Sequence, residues 1–371
     1  MENTVYTDPS EPALNDGYDN CNGELIVSKN QRISDPFSGD YHVIDILGQG
    51  QFGQVYHVAY INKDNGNRSD GCSYALKITR SQDHFRKQAE HEINIHQQLQ
   101  RNAKKDEMKY IVNMIKWFNY HGHVCIVTEY LSLNLYEVLQ ERKFYGLPLH
   151  LVKCVMKQLL YNLTVLEKYG IVHSDIKPEN ILLVDSVSTN IKLIDFGSSR
   201  TIDQAASQYI QSRYYRAPEV VLGYDHDFKI DIWSVACVAA ELFVTQPLFA
   251  GQNESHLLHL ISKMIGRIPI EMAISSPKRS MLFQHNLELK PERNYCFENS
   301  IEYTEFPHYF QYDSLEDIII HYGFEAPVSK EKYEKEKEKR LVFVDLLRKM
   351  LEISPDQRFS ASMCLSHPFF S

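Results

Sequence analysis

His173-Ser174-Asp175-Ile176-Lys177-Pro178-Glu179-Asn180 is the stretch on which the reading of this chain turns. Asp175 can orient a hydroxyl and accept its proton. Lys177 can neutralise a transferring phosphate, and Asn180 can hold a metal ion. Asp195-Phe196-Gly197 follows, after the strand-like Ile191-Lys192-Leu193-Ile194. Asp195 would hold Mg²⁺ against phosphates, and Gly197 frees the backbone to turn. Asp-Phe-Gly alone is a common turn tripeptide; the preceding segment gives it meaning. Phosphoryl transfer needs this mixture, because charge spreads over the phosphoryl oxygens while two other oxygens lie in line.

Upstream, Gly48-Gln49-Gly50-Gln51-Phe52-Gly53-Gln54-Val55 contains G-x-G-x-x-G. Three readings are open: a dinucleotide fingerprint, a hairpin covering a nucleotide, or a plain turn. A dinucleotide fingerprint must open a helix. Here the following Gln54-Val55-Tyr56-His57-Val58-Ala59-Tyr60 is β-branched and aromatic, so strand–loop–strand is expected. Val55 would cover the adenine. Lys77 in Ala75-Leu76-Lys77 sits in a further apolar strand, where an unpaired charge is costly. Glu92, on a predicted helix, is its expected partner, and Lys77 would hold the α- and β-phosphates. The alternative is an edge lysine with its head in water.

Downstream, Arg213-Tyr214-Tyr215-Arg216-Ala217-Pro218-Glu219 brings a glutamate that needs a buried partner. Arg358 in Pro355-Asp356-Gln357-Arg358 is the candidate. Asp231, before Ile232-Trp233-Ser234, is expected to cap a helix start.

The 371 residues carry 39 Lys and Arg against 48 Asp and Glu, a net charge of −9, which argues against an electrostatic nucleic-acid binder. Seven cysteines without a C-x-x-C pair fit a reducing compartment rather than a disulfide or zinc framework. Met1-Glu2-Asn3-Thr4 is acidic and has no apolar stretch, so a secretory leader is not expected there. The apolar run 232–240 lies between Asp231 and Glu241 and is too short for a bilayer.

Residues 1–40 are acidic and read as partly mobile, with a short docked strand at 24–27. Strands are expected at 41–47, 54–60, 73–79 and 123–128, with a polar turn at 62–71 and a helix at 85–99. Helices are expected at 152–169, 230–245, 256–264 and 341–351. Strands first and helices after give an α+β chain of two lobes, divided near residue 130. Residues 266–339 show little periodicity and read as an insert. The mixed-charge run 330–339 within it reads as a solvated helix or loop.

Taken together, these motifs occur in the order of the protein-kinase signature set. Over residues 41–370 the sequence resembles a eukaryotic-type protein kinase, with the two-lobed kinase fold: a β-rich N-lobe and a mainly helical C-lobe. The resemblance implies that Leu47, Gly48, Gly50, Gly53 and Val55 cover ATP. It places the backbone of Glu129 and Leu131 on the adenine, with Asn134 nearby. Asp175 and Lys177 would be catalytic, and Asn180 and Asp195 would hold Mg²⁺. Lys177-Pro178-Glu179 matches the serine/threonine form of the loop. Gln208-Tyr209-Ile210-Gln211-Ser212-Arg213-Tyr214-Tyr215-Arg216 resembles the activation segment of dual-specificity tyrosine-regulated kinases. So do Leu131-Ser132-Leu133-Asn134-Leu135-Tyr136 and Gln88-Ala89-Glu90-His91-Glu92. Residues 46–55 most resemble the Yak-type branch, and 17–30 resemble a box that docks beside the kinase domain.

By that resemblance Tyr209 is autophosphorylated, Arg213 and Arg216 receive its phosphate, and serine or threonine next to proline is then phosphorylated in protein substrates. The alternative for Tyr209 is a buried structural tyrosine. A cytoplasmic or nuclear monomer without nucleic-acid or membrane partners is the accompanying expectation. The rival reading is a pseudokinase scaffold that binds partners without turnover, although every catalytic position carries the required residue type.

The sequence departs from the common pattern at three places. Ser174 replaces the arginine of His-Arg-Asp, Ser207 replaces the first tyrosine of Tyr-x-Tyr, and Thr128 stands where these relatives carry phenylalanine. His91 and His96 are spaced by five and leave a common helix face, so a zinc-protease reading fails. His121 and His123 flank Gly122 in an expected hairpin turn. Lys104-Lys105 and Lys278-Arg279 read as solvated surface.

Overall fold

A computed structural model describes residues 4–50, 52–62, 68–204, 210–305, 309–323 and 329–371. The chain forms two compact units, one comprising Met1–Ser132 with Ile194–Gly197, the other Leu133–Leu193 with Ser198–Ser371.

In the first unit, β1 (Arg32–Ser34), β2 (Gly39–Gly50), β3 (Gly53–Asn62), β4 (Arg68–Thr79), β5 (Met114–Tyr120) and β6 (His123–Glu129) form an antiparallel sheet. Its order is β1-β2-β3-β4-β6-β5. Helix α1 (Asp83–Asn102) buries Phe85, Ala89, Glu92, Ile93, His96 and Leu99 at a three-and-four spacing, and Ile95 widens the inward face. Successive strand residues point to opposite faces, and β6 shows the consequence. Val124 and Ile126 pack with Ala89 and Ile93 of α1. Cys125 and Val127 pack on the other face with Tyr56, Phe118 and the N-terminal Leu25 and Val27. Each fully buried Leu or Val of that layer contributes about 1.5–3 kcal/mol.

The N-terminal segment, expected to be partly mobile, therefore takes a defined path and supplies one core layer. Polar groups hold it as much as apolar ones. Buried Asp19 bonds His123 Nε2 at 2.8 Å, and buried Glu24 bonds Arg80 at 2.8 Å. Thr7 Oγ1 donates to the Leu25 carbonyl at 2.8 Å. The composition of 4–31 looks like that of a free tail because its anchoring groups are Asp, Asn, Thr and Glu.

The second unit opens with α2 (Leu135–Glu141) and α3 (Leu149–Lys168). Short strands β7 (Ile171–Val172), β8 (Ile181–Leu183), β9 (Ile191–Leu193) and β10 (Arg200–Thr201) pair as β7 with β10 and β8 with β9. Then come α4 (Pro218–Leu222), α5 (Lys229–Val244) and α6 (Glu254–Met264). Helix α5 is buried on every side from Ile230 to Val244, so its apolar run is the centre of this core. Among the described residues no helix is long and apolar enough to cross a membrane.

The weakly patterned stretch beyond Met264 holds α7 (Ile270–Ser275), α8 (Arg279–Leu282), α9 (Glu292–Glu298) and α10 (Leu315–His321). Its charge run is the first half of a longer helix, α11 (Lys330–Met350), capped by Ser329 and buried only from Arg340 onward. Helix α12 (Ala361–Leu365) ends the unit.

Candidate active site

The glycine motif lies at a hairpin, with Gly48 opposite Val55, Gln49 opposite Gln54 and Gly50 opposite Gly53. No helix begins there, which removes the dinucleotide reading. A Cβ on Gly53 would stand 2.1 Å from the Ile78 carbonyl oxygen, and its φ is 149°. Gly53 is thus glycine for packing. Gly48 and Gly50 differ, since nothing lies within 4 Å of a Cβ placed on either. Their bare backbone is open to a ligand. Val55 pairs across the ladder with Lys77. Leu47 is exposed at the same hairpin, and Leu131 is buried. The Glu129 N–H donates to the Asn113 carbonyl at 3.1 Å. Thr128, half-buried on β6, pairs with Ala75 and Met114.

Lys77 Nζ meets Glu92 Oε2 at 2.8 Å and Asp195 Oδ1 at 2.9 Å. The edge-lysine alternative is therefore excluded. Burial opposes the Lys77 charge, but the Asp195 and Glu92 carboxylates outweigh it and hold the ammonium above its ordinary value. Two carboxylates share one ammonium here. Burial pushes the Glu92 carboxyl up, Lys77 opposes that, and Asp195 adds to it.

In the second unit, Asp175 is held from several sides. Its Oδ2 takes Lys177 Nζ at 2.8 Å and Asn180 Nδ2 at 3.1 Å. Its Oδ1 takes Ser212 Oγ at 2.7 Å and Ser212 N at 3.2 Å. Lys177 Nζ also reaches Ser212 Oγ at 3.2 Å. Because Asn180 Nδ2 donates to Asp175, the amide leaves Oδ1 as the atom able to ligate a cation. The loop itself is fixed from beneath: His173 N and Ser174 N donate to the two oxygens of Asp231 at 2.7 and 2.9 Å. Ser174 is buried with φ of 67°.

Asp231 thus corrects the expectation of a helix cap. It lies in the first turn of α5, yet its carboxylate faces the loop at His173 and Ser174. Burial raises its pKa, and neighbouring His173 and the two loop N–H groups oppose that rise. Asn134, placed near ATP by resemblance, is the N-cap of α2. Its side chain accepts from Glu137 N at 2.9 Å in a reciprocal capping box. Lys278, expected to be solvated, instead pairs with both Glu254 oxygens at 2.9 Å.

Tyr209 and Ser207 lie outside the described residues. Of the two arginines linked to Tyr209, Arg213 is exposed and donates to the Gln252 carbonyl at 2.5 Å. Arg216 is buried. Its Nε and Nη2 both donate to the Gln211 carbonyl, at 3.3 and 2.9 Å, and Nε also reaches the Ile210 carbonyl at 2.9 Å. Glu219 and Arg358 meet as anticipated. Ser212 is the site residue that the sequence did not single out. It stands inside the quoted activation stretch, but no spacing rule ties it to Asp175.

The family model for the protein kinase domain matches residues 41–370. The chain belongs to the protein kinase family. This kinase chain is 36% identical to the probable serine/threonine-protein kinase yakA of Dictyostelium discoideum, over 99% of its own length and 26% of that relative. It is 33% identical to the dual specificity protein kinase YAK1 of Saccharomyces cerevisiae, over 99% of the chain and 46% of the relative. With the serine/threonine-protein kinase ppk15 of Schizosaccharomyces pombe the figures are 34%, 98% and 68%. The similarity thus runs to Yak-type members of the dual-specificity branch. The kinase chain spans less than half the length of the first two. Family membership implies ATP, a divalent cation and protein substrates.

Proposed function

We propose that this chain is a dual-specificity protein kinase that moves the γ-phosphate of ATP to serine and threonine hydroxyls of proteins and phosphorylates its own Tyr209. The observation that carries the proposal is the Lys77 ammonium bonded at once to Glu92 and Asp195. A fixed cation beside an oxygen ligand suits a polyphosphate and its counterion. Gly48 and Gly50 let the hairpin backbone approach that polyphosphate. The substrate hydroxyl oxygen attacks the γ-phosphorus, its proton passes to the Asp175 carboxylate, and the bond to the β,γ-bridging oxygen breaks to release ADP. Lys177, Ser212 and Asn180 orient Asp175, and Lys177 neutralises the transferring group.

Each unit carries an oxygen ligand suited to a hard cation, the Asp195 carboxylate in one and Asn180 Oδ1 in the other, and Mg²⁺ is our assignment from the family resemblance. When bound, it supplies neutralisation of the developing phosphate charge.

We assign a proline preference at the residue after the acceptor. Gln211 precedes Ser212, which touches Asp175, and has φ of 62°. Arg216 occupies the Gln211 carbonyl twice. That carbonyl has little capacity left for a substrate N–H, so a residue lacking one loses nothing. Arg213, the exposed arginine, is assigned to the Tyr209 phosphate.

Peptide mass spectrometry of bacterially expressed protein, wild type beside Asp175→Asn, tests the proposal. Phosphate on Tyr209 in the wild type only is expected. Absence of phosphate, together with no Mg-ATP turnover on basic serine peptides, would overturn it.

A further inference from the structure

Gln88, Glu92 and His96 of α1 are spaced by four and share one helix face. Each serves a different residue of Asp195-Phe196-Gly197. Glu92 binds Lys77, which binds Asp195. The His96 ring stands edge-on to Phe196, with centroids 5.1 Å apart. Gln88 Nε2 donates to the Gly197 carbonyl at 3.0 Å.

The turn they hold is strained. Asp195 has φ of 61°, in the left-handed region that a side chain disfavours. Such a conformation persists only where the surroundings fix it. Asp195 Oδ1 takes Lys77 and also the Gly197 N–H at 3.4 Å. Gln88 grips the carbonyl at the far end of the same turn. The cluster is tight: a Cβ on Gly197 would stand 3.3 Å from Asp195 Oδ1, 3.4 Å from Glu92 Oε2 and 3.6 Å from Gln88 Nε2.

We propose that Gln88 is a positioning residue for phosphoryl transfer, holding the 195–197 turn so that Asp195 presents its carboxylate to the divalent cation. This rests on the kinase reading above. An uncharged donor is what the place requires. A lysine would compete with Lys77 for the two carboxylates. A glutamate would add a third carboxylate and face a carbonyl oxygen with no proton to give.

The test compares the wild type with Gln88→Met, which keeps length and loses the donor, and Gln88→His, which keeps a neutral donor. Two quantities are read: the Mg²⁺ concentration for half-maximal peptide phosphorylation at saturating ATP, and amide hydrogen exchange across 194–198 without nucleotide. Gln88→Met is expected to raise the Mg²⁺ requirement roughly three- to tenfold and to speed exchange by a similar factor, as the loss of one neutral hydrogen bond implies. The melting temperature and the KM for peptide should hold, and Gln88→His should restore both readouts. Unchanged Mg²⁺ dependence and unchanged exchange in Gln88→Met would overturn the proposal. If Gln88→Met does not fold, Gln88→Leu, which also removes the donor without adding charge, gives the same two readouts. A wild type without transfer would overturn the kinase reading instead, and exchange would still decide whether Gln88 holds the turn.

Discussion

Arg358 and Glu219 form a two-pronged ion pair sealed from solvent, Nη1 to Oε1 at 2.6 Å and Nη2 to Oε2 at 2.9 Å. Arg358 Nε also donates to the Glu352 carbonyl at 2.9 Å, and its guanidinium lies 5.1 Å from the Trp233 ring. Removing one partner strands a buried charge. Arg358→Met is expected to cost about 3–5 kcal/mol of unfolding free energy in a denaturant titration. Glu219→Met combined with Arg358→Met should cost less than the two single changes added together, because the stranded charge is gone.

Asp175→Asn keeps the shape of the loop and loses the proton acceptor. Peptide phosphorylation is expected to fall by about 10²–10⁴ in kcat, while the KM for ATP holds. Equal turnover in a steady-state assay would remove Asp175 from the mechanism.

Glu241 provides a pH signature separate from catalysis. Burial raises its carboxyl from 4.5 to about 7, the Tyr215 hydroxyl at 2.7 Å opposes that rise, and Glu179 adds to it. A carboxyl whose folded pKa is raised favours the fold while protonated. That contribution is complete below pH ~4.5 and is lost as pH climbs through about 7. Glu241→Gln removes the titration and still offers an oxygen to Tyr215. Relative to wild type it should gain stability between those values and then plateau, by up to on the order of 3 kcal/mol. Thermal melts at pH 4.5, 6 and 8 check this; a difference that does not grow with pH refutes it.

The Gln211–Arg216 contact predicts a change in selectivity. Arg216→Lys keeps a cation but cannot cover the carbonyl with two N–H groups. The ratio of kcat/KM for serine–proline over serine–alanine peptides should fall roughly tenfold, mainly through better use of the alanine peptide. An unchanged ratio would show that Arg216 plays no part in the choice.

Much of the fold and of the site is legible in the sequence. The β-branched runs around Tyr41 and Tyr56, and the spacing of Ala89, Ile93 and Leu99, specify strands and a helix through local periodicity. Lys77 with Glu92, and Glu219 with Arg358, followed from one rule: a charge in an apolar context needs a partner. Asp231 escaped that rule. Its position in the first turn of α5 is visible in sequence, but not whether its carboxylate turns to its own helix or to His173 and Ser174. The N-terminal segment escaped as well, since its anchors join distant polar residues, Asp19 to His123 and Glu24 to Arg80. Helices α7 and α8 are too short to show a period.

Leu25 and Val27 on the far face of β6 have a practical consequence. The family match starts at Tyr41. A protein trimmed to that boundary would uncover Tyr56, Phe118, Cys125 and Val127 together, an oily wall where the intact chain has a finished surface. Such a truncate should precipitate or stick to itself before its chemistry can be assayed. The residues ahead of the recognised domain are, physically, part of its insulation.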